Sequence, residues 1–469
     1  MKSDKLQNAI GMVDADLVER TEKSKSKHPK FKWTAAVAAM LAIAIGIGAY
    51  FGNGSPFAIE AYALAEAEYP PAAPYPDWSQ PNAEQQNAWY ADLERQRINR
   101  GAGKNLGDFF AATISEFLTS EDSENRVYSP LNVYMALAML AEITDGESRA
   151  QILDLLDADS IETLRTQAHA IWNANYSDDG NVTSILASSL WLSENISYKQ
   201  KTLNTLAENY YASSYRGEMG SRDFNKALQA WMNEQTGGLL KEYISDIALT
   251  PNTIMALVTT IYFQAQWDSE FSAEKNTMDV FHAANRDITC EFMHKTHYSG
   301  IYYWGEKFSA TRQSLGDGFM YFILPDEGTG VQELLTDSEA LSFMARNYDS
   351  ANYKYCEINL SIPKFDVSSK LDLTSGLQNL GITDCFDENA ADFTPLDGEN
   401  PSWLSTVEHG ARVAVDEQGV KAAAYTLVLR DGGSAPPEEE IDFVVDRPFL
   451  FVITGADNLP LFVGVVNQP

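Results

Sequence analysis

The residues able to carry out catalysis are few and scattered in this sequence. Six histidines are present, at positions 28, 169, 282, 294, 297 and 409. Ser129, His409 and Asp416 supply the residue types of a hydrolytic triad, but any long chain contains such a set. His294 and His297 are three residues apart, a spacing that places two ligands on one helical face, yet no carboxylate or cysteine set accompanies them. We therefore expect no metal site.

Sequence motifs of the common enzyme classes are also missing. The chain has no Walker loop, no dinucleotide glycine fingerprint, no HExxH zinc motif and no GxSxG nucleophile elbow. We predict that the protein is not an enzyme and uses no cofactor. The alternative left open is a surface hydrolase that uses Ser129, or another serine, together with His409.

Residues 413–448 offer a different chemistry, that of a protease substrate. After a turn at 417–419, small apolar side chains alternate with larger or charged ones, as in a strand pressed onto a core. A tip of small residues follows at 431–435, a composition that favours neither helix nor strand and that proteases reach easily. An ordinary hairpin with a long loop is the alternative interpretation.

This segment closely resembles the hinge and reactive centre of the serpin family. Residues 416–424 (DEQGVKAAA) match the hinge, and residues 433–438 (GSAPPE) match the reactive centre. Counting from either motif puts the cleaved bond at Gly433–Ser434. The resemblance extends over the whole of 102–469, with further family motifs in order at 125–131, 257–267, 362–365, 447–449 and 461–464.

The resemblance implies a suicide-substrate inhibitor of serine proteases, which is consumed once. The protease cuts the loop as an acyl-enzyme, and the hinge then carries the cut loop into the large sheet as a new strand. The hinge residues are Glu417, Gly419, Val420, Ala422, Ala423 and Ala424. Gly433 suits an elastase-like or subtilisin-like protease, with cleavage after Leu429 or Arg430 as alternatives. The alternative function is a non-inhibitory serpin that acts as a surface binding protein, against which the small hinge residues argue.

The resemblance also identifies the region where strands part for the loop. The residues of this shutter and of the adjoining breach are Ser129, Asn132, Thr259, Trp267 and His409. Family members usually have Ser at position 132 and Asn at position 259, so the two types are exchanged here. We hypothesise that Asn132 supplies the amide that Thr259 lacks. Tyr425 replaces a usually small residue, and the alternation predicts that it faces outward.

Charge and cysteine content limit the partners and the cross-links. The 469 residues carry a net charge of −32, which excludes nucleic acid as an expected partner because phosphate binding needs a basic surface. The three cysteines Cys290, Cys356 and Cys385 form no CxxC pair, so no disulfide framework is expected, although one bridge stays open. We expect a monomer.

Four segments are predicted along the chain. Residues 1–32 form a basic cytoplasmic tail, and residues 33–51 form a transmembrane anchor, since 34–51 contains no charge and would rise about 27 Å as a helix. Lysines before this segment keep the N-terminus inside, on what we infer to be a bacterial membrane. Residues 52–101 form a Pro-rich extracytoplasmic stalk, and 102–469 form an extracellular serpin domain. Cleavage near 61–63, which would give a secreted protein, is the alternative.

The predicted helices and strands that must position these residues are interspersed along the chain. Helical periodicity occurs at 106–118, 152–156 and 203–211, whereas apolar runs at 185–192, 254–263 and 449–454 predict buried strands. Helices and strands do not alternate regularly, so we predict an α+β fold. The resemblance implies three β-sheets, about eight to nine helices and an exposed reactive-centre loop, all preceded by the transmembrane helix.

Overall fold

Helices and strands are mixed without regular alternation, which confirms the predicted α+β class. The structure is a computed structural model that describes residues 57–120, 123–239, 241, 244, 247–345, 348, 351–398, 402–420 and 439–469. The predicted tail and anchor, at 1–32 and 33–51, lie outside these ranges. So do residues 421–438, which include Ala422, Ala423, Ala424, Gly433 and Ser434.

The described ranges contain twelve α-helices, which are more than the expected eight to nine. Five of them have only four to seven residues, too few to show a helical periodicity in the sequence. The helices are α1 (Phe57–Glu60), α2 (Ala83–Asn99), α3 (Gly107–Leu118), α4 (Pro130–Ile143), α5 (Gly146–Leu155), α6 (Ile161–Asn175), α7 (Gln200–Tyr210), α8 (Arg222–Gln235), α9 (Val331–Leu334), α10 (Ser338–Met344), α11 (Thr374–Asn379) and α12 (Thr394–Asp397).

Seventeen strands are described, and those predicted at 185–192, 254–263 and 449–454 are confirmed as β4, β6 and β16. The strands are β1 (Ala63–Ala65), β2 (Arg126–Tyr128), β3 (Ser177–Asp178), β4 (Val182–Ser193), β5 (Ala212–Gly217), β6 (Met255–Gln266), β7 (Thr277–Ala283), β8 (Arg286–Trp304), β9 (Phe308–Leu315), β10 (Gly318–Pro325), β11 (Asn352–Pro363), β12 (Phe365–Asp372), β13 (Thr406–Val415), β14 (Gly419–Val420), β15 (Glu440–Val444), β16 (Phe449–Thr454) and β17 (Pro460–Val466).

Helix α4 forms the centre of the core. Ser129 caps its N-terminus by accepting a hydrogen bond from the Asn132 backbone N–H at 3.2 Å, and Pro130 occupies the first turn, where its missing N–H costs nothing. Every residue of the helix except Glu142 is buried. A helix that is apolar on all sides must be enclosed, and α4 lies against β4, β6 and β17.

The large sheet contains the strands that form the candidate site. Its eight strands run in the order β1-β5-β4-β6-β14-β13-β12, with β3 paired to β4. Along β6, alternate residues such as Leu257 and Phe263 face the main core, whereas Ala256 and Val258 face a second apolar cluster that includes Phe224 of α8. The sheet is therefore covered on both faces.

The remaining strands form one continuous sheet rather than the two that the resemblance implied. This nine-stranded sheet runs in the order β15-β11-β8-β9-β10-β16-β17-β2, with β7 paired to β8. Strand β8 is 19 residues long, so it pairs with β7 and β11 and also reaches β9 near its C-terminal end. The expected third sheet is therefore continuous with the second.

The predicted stalk at 52–101 is wrong for residues 59–101, because the compact unit begins at Ile59 rather than at residue 102. Strand β1 pairs with the edge strand β5, and helix α2 packs on α6. The ring of Tyr69 lies 5.3 Å from that of Trp172 and 5.9 Å from that of Tyr176. Prolines remove backbone donors, but the aromatic side chains between them are free to pack.

No helix within the described ranges combines the length and apolar character that a bilayer crossing requires.

Candidate strand-insertion site

Strands β6 and β13 diverge at one end, and the short strand β14 lies between them. Direct parallel pairing of the two strands runs from Thr406↔Ala256 to Gly410↔Thr260. Beyond it, β14 pairs antiparallel with both strands, since Val420 lies opposite Ala265 on β6 and Val415 on β13. The two residues of β14 thus already occupy the gap between β6 and β13, which we call the fork.

Close backbone approach requires glycine at the first position of β14. A Cβ atom on Gly419 would overlap the carbonyl oxygen of Ala265 and would lie 2.9 Å from Cα of Gln266. Both clashes are with backbone atoms, which cannot rotate away. The predicted hinge glycine is therefore a steric requirement of the fork.

Hydrogen bonds from Trp267 and Asp416 hold the turn that leads into β14. The Asp416 carboxylate accepts from the backbone N–H groups of Gln418 and Gly419 at 2.9 and 3.2 Å. Trp267 donates its backbone N–H to the Gln418 carbonyl at 3.0 Å and its indole N–H to the Asp416 carbonyl at 2.9 Å. Since Trp267 is buried at the end of β6, it fixes the hinge backbone to that strand.

The Glu417 side chain closes a four-residue polar network beside this turn. Its carboxylate lies 2.6 Å from Lys364 Nζ and 2.6 Å from Asn276 Nδ2, and both groups also contact Glu291 at 2.9 and 2.8 Å. Burial alone would raise the pKa of Glu417, but hydrogen bonds from Lys364, the backbone and Asn276 outweigh it and lower that pKa. Glu417 is therefore ionised at neutral pH.

A buried histidine links β6 and β13 to the start of α4. The Ser129 backbone N–H donates to His409 Nε2 at 3.0 Å, which makes Nε2 the acceptor. Nδ1 must then carry the proton, and it donates to Thr259 Oγ1 at 3.0 Å. Burial lowers the pKa of His409 to about 4, so the ring is neutral at pH 7. The predicted shutter residues Ser129, Thr259 and His409 are thus brought together.

Asn132 does not play the predicted role. Its side chain is fully buried, and within the described ranges neither Oδ1 nor Nδ2 has a hydrogen-bond partner. The hydroxyl of Thr259 reaches the imidazole by itself, so no substitute amide is needed there. The hypothesis that Asn132 compensates for Thr259 is wrong.

The arrangement excludes the triad and the histidine pair that the sequence left open. His409 meets the backbone N–H of Ser129 rather than its hydroxyl, and Asp416 lies seven positions further along the chain, about 23 Å away in an extended strand.

His294 and His297 both belong to β8, so they do not share a helical face. Within the described ranges, no group of three His, Cys, Asp or Glu side chains is placed to hold a metal ion. Cys290, Cys356 and Cys385 are free thiols.

Sequence reasoning missed the partners of the hinge. Asn276, Glu291 and Phe271 had no distinguishing local pattern, and Lys364 stood out only as part of the motif at 362–365. Asn276 lies 141 positions from Glu417, and Phe271 donates its backbone N–H to the Glu417 carbonyl at 3.0 Å. Contacts across such separations leave no periodic signal in the sequence.

Comparisons with known proteins agree with this geometry. A family model described as serpin (serine protease inhibitor) matches residues 105–469. Leukocyte elastase inhibitor A of Mus musculus is 29% identical over 384 residues, 77% of this chain and 97% of that protein. Serpin-ZX of Arabidopsis thaliana is 27% identical over 384 residues, 78% of this chain and 96% of that protein. The structure of a thermophilic serpin, tengpin, in the native state has a TM-score of 0.70 and 23% identity, and it covers 86% of this chain and 98% of tengpin.

Proposed function

The chain belongs to the serpin family, and on that premise we propose that it inhibits serine proteases as a suicide substrate. The family is one of protease inhibitors rather than enzymes. The observation that carries the proposal is the position of β14, which pairs with β6 on one side and β13 on the other. Strand β14 is the start of an inserted strand, and the loop that continues from Val420 can extend this strand between β6 and β13.

The register of β14 predicts what each inserted residue would meet. Continued antiparallel pairing would bring residues 421–424 opposite 414–411 of β13, the stretch beyond the direct pairing. The three alanines therefore extend the strand before any β6–β13 pair must break. Tyr425 would lie opposite Gly410 and Thr260, the last directly paired residues, and Thr426 would lie opposite His409 and Thr259. The shutter histidine is thus the contact that full insertion must rearrange.

The chemical step belongs to the protease, and insertion interrupts it. The protease serine oxygen attacks the Gly433 carbonyl carbon, the Gly433–Ser434 bond breaks, and the Ser434 amine leaves with a proton. An ester then joins the protease to Gly433. Insertion of residues 421–428 pulls this ester away from the loop's original position, and a shift of even ~1 Å in reacting groups can cost about 100-fold in rate. Water then fails to complete hydrolysis.

Gly433 supports an elastase-like or subtilisin-like target. A residue without a side chain suits a small or occluded specificity pocket, and it offers no cation to a trypsin-like one. The similarity to leukocyte elastase inhibitor A supports the same class. Cleavage after Leu429 or Arg430 would leave a shorter segment to insert, so trapping there would fail more often.

Incubation with proteases tests the proposal directly. We expect an elastase-like or a subtilisin-like protease to give a covalent complex that survives denaturing electrophoresis, together with a released peptide that begins at Ser434. Trypsin serves as the comparison, because its pocket needs Arg or Lys. Cleavage at Gly433 without any complex would contradict the trapping mechanism.

A non-inhibitory serpin that binds a ligand at the surface is the alternative function. The two functions differ in thermal behaviour, since only a metastable inhibitor gains stability when its loop is cut and inserted. A cleaved chain with an unchanged melting temperature would favour the alternative.

We also propose that residues 33–51 anchor the protein in a membrane, with the serpin domain outside. The support is the uncharged stretch at 34–51 and the lysines that precede it. Membrane fractionation of cells that express the full chain tests this, with a chain lacking residues 1–51 as control. Recovery of the full chain in the soluble fraction would contradict it and would favour the secreted form.

A further inference from the structure

Two exposed aromatic side chains lie together on one face of the sheet, where β11 meets the end of β8. Tyr353 is 50% exposed and Tyr355 is 58% exposed. These residues form the loop-side aromatic patch. Single exposed apolar residues such as Ile98 and Met278 are ordinary on protein surfaces, whereas two large exposed rings in contact are a candidate interaction site.

The rings of the patch are held in place by their neighbours. Tyr353 lies 6.2 Å from the buried ring of Tyr303 and meets Tyr355 edge to face at 6.0 Å and 86°. Because these rings are already ordered, a partner that binds them pays little conformational entropy.

The patch lies beside the point where the reactive loop rejoins the fold. Strand β15 pairs parallel to β11 starting at Glu440↔Glu357, so Tyr353 and Tyr355 occupy the part of β11 that extends beyond the start of β15. Lys354, between the two tyrosines, forms an ion pair with Glu439. The chain that leads back from Glu439 to the cleaved bond therefore departs next to the patch.

The distance to the cleaved bond is within the reach of one protein interface. Ser434 precedes Glu440 by six residues, which span at most about 20 Å when extended. A standard interface covers about 800 Å² on each partner, a footprint roughly 30 Å across. A protease that holds Gly433–Ser434 in its active site can contact the patch at the same time.

We propose that the loop-side aromatic patch is a second docking surface for the body of the target protease. This inference rests on the proposed inhibitory function and adds a determinant of target choice outside the loop. Tyr and Trp are the residues most enriched at the energetic centres of interfaces. The charges that β11, β15 and the residue before β15 carry next to the patch are mainly acidic, from Glu357, Glu439, Glu440 and Asp442, and Lys354 is paired with Glu439. The matching protease surface is therefore an apolar spot bordered by Lys and Arg.

Binding of the full-length protein to a catalytically inactive protease, with its active-site serine replaced by alanine, tests this inference. The protease used is whichever elastase-like or subtilisin-like enzyme gives the covalent complex with the unaltered chain. We expect the double variant Y353A/Y355A to weaken this binding by tenfold or more. The variant Y353F/Y355F should bind normally, since the rings rather than the hydroxyls make the contact. The variant I98A removes an exposed apolar side chain elsewhere and should change nothing.

Two further measurements separate the possible outcomes. The yield of covalent complex at saturating protease should be the same for Y353A/Y355A and the unaltered chain, because insertion does not involve the patch. Equal affinity of both chains would contradict the proposal that the patch docks the protease, while leaving the inhibitory function intact. A dimer of the unaltered chain that Y353A/Y355A dissociates would also overturn it, since the patch would then bind a second copy. If no protease forms a complex with the unaltered chain, the inhibitory function fails and this inference fails with it.

Discussion

The Nζ atom of Lys364 lies 2.6 Å from the carboxylate of Glu417, so the link between β11 and β12 is ion-paired to the turn that starts β14. The pair is half-buried, with side-chain exposures of 31% and 18%. It is extended by Asn276 and Glu291, and the backbone of the same turn is bound by Trp267 and Phe271. The residues on either side of the hinge thus hold the start of the inserted strand in place.

Replacement of Glu417 by Gln should loosen this turn. The variant keeps the shape of the side chain but loses the ion pair with Lys364, and we expect the free energy of unfolding to fall by about 1 kcal/mol. Chemical denaturation of both chains measures the change. The control is E94Q, which removes the well-exposed pair of Glu94 with Arg97 and should have almost no effect. Equal losses in the two variants would contradict a specific role for the hinge pair.

Acidification should destabilise the protein through His409. Burial lowers the pKa of His409 to about 4 in the folded state, whereas an unfolded histidine has a pKa of about 6.5. Between these values the unfolded chain binds a proton that the folded chain does not. The contribution of neutral His409 to the free energy of unfolding is therefore fully present above pH 6.5 and is lost as the pH falls towards 4. The loss amounts to roughly 3 kcal/mol at most.

Denaturation midpoints between pH 7 and 4.5 measure this loss, and H409N should flatten the profile. Burial also lowers the pKa of His297 to about 4, so H297N should remove a separate part of the slope. A profile that H409N leaves unchanged would show that His409 does not contribute.

Two adjacent threonines provide a matched test of the shutter. Thr259 Oγ1 accepts a hydrogen bond from Nδ1–H of His409, so T259V leaves a buried donor without a partner and should cost about 1–3 kcal/mol in the free energy of unfolding. Thr260 is also buried, but within the described ranges its hydroxyl has no hydrogen-bond partner. T260V should therefore be neutral or slightly stabilising. Equal effects of the two substitutions would mean that the bond to His409 adds nothing.

Replacement of Gly419 by alanine should prevent β14 from pairing between β6 and β13. In G419A the new Cβ would clash with the backbone of Ala265 and Gln266, so β14 could no longer begin the inserted strand. We expect the protease to cut this variant as a substrate, with the covalent fraction at least tenfold lower. The control G330A adds a Cβ at a position with no heavy atom within 4 Å and should trap normally.

Glutamate substitutions at two neighbouring loop positions, 422 and 423, test the register of insertion, because the two side chains would face opposite sides of the sheet. Continued pairing from Val420 brings residue 422 between Val413 and Phe263, which are both buried, and residue 423 beside Arg412 and Tyr262. A422E would bury an unpaired charge and should convert the protein from inhibitor to substrate. A423E would place its carboxylate near Arg412 and should keep most of the trapping. The ratio of covalent complex to cleaved chain measures both, and a reversed order would refute the register.

The sequence by itself determined the fold class and the family. Apolar runs at 185–192 and 254–263 predicted β4 and β6, because strands covered on both faces consist of β-branched and aromatic residues over short lengths. The glycine at 419, followed by small side chains, predicted a hinge for a similar local reason, and the structure shows that close backbone contact at position 419 tolerates no side chain. Such features are encoded within a few neighbouring residues.

Only the tertiary structure decided which residues surround the hinge and where the compact unit begins. Lys364, Asn276 and Phe271 reach Glu417 from distant parts of the chain. Asn132 was predicted to join the shutter, yet its amide finds no partner among the described residues. The Pro-rich residues after Ile59 were predicted as a stalk because proline opposes regular structure, but Tyr69 packs beside Trp172. Side-chain packing across long separations is set by the folded geometry, and local composition does not encode it.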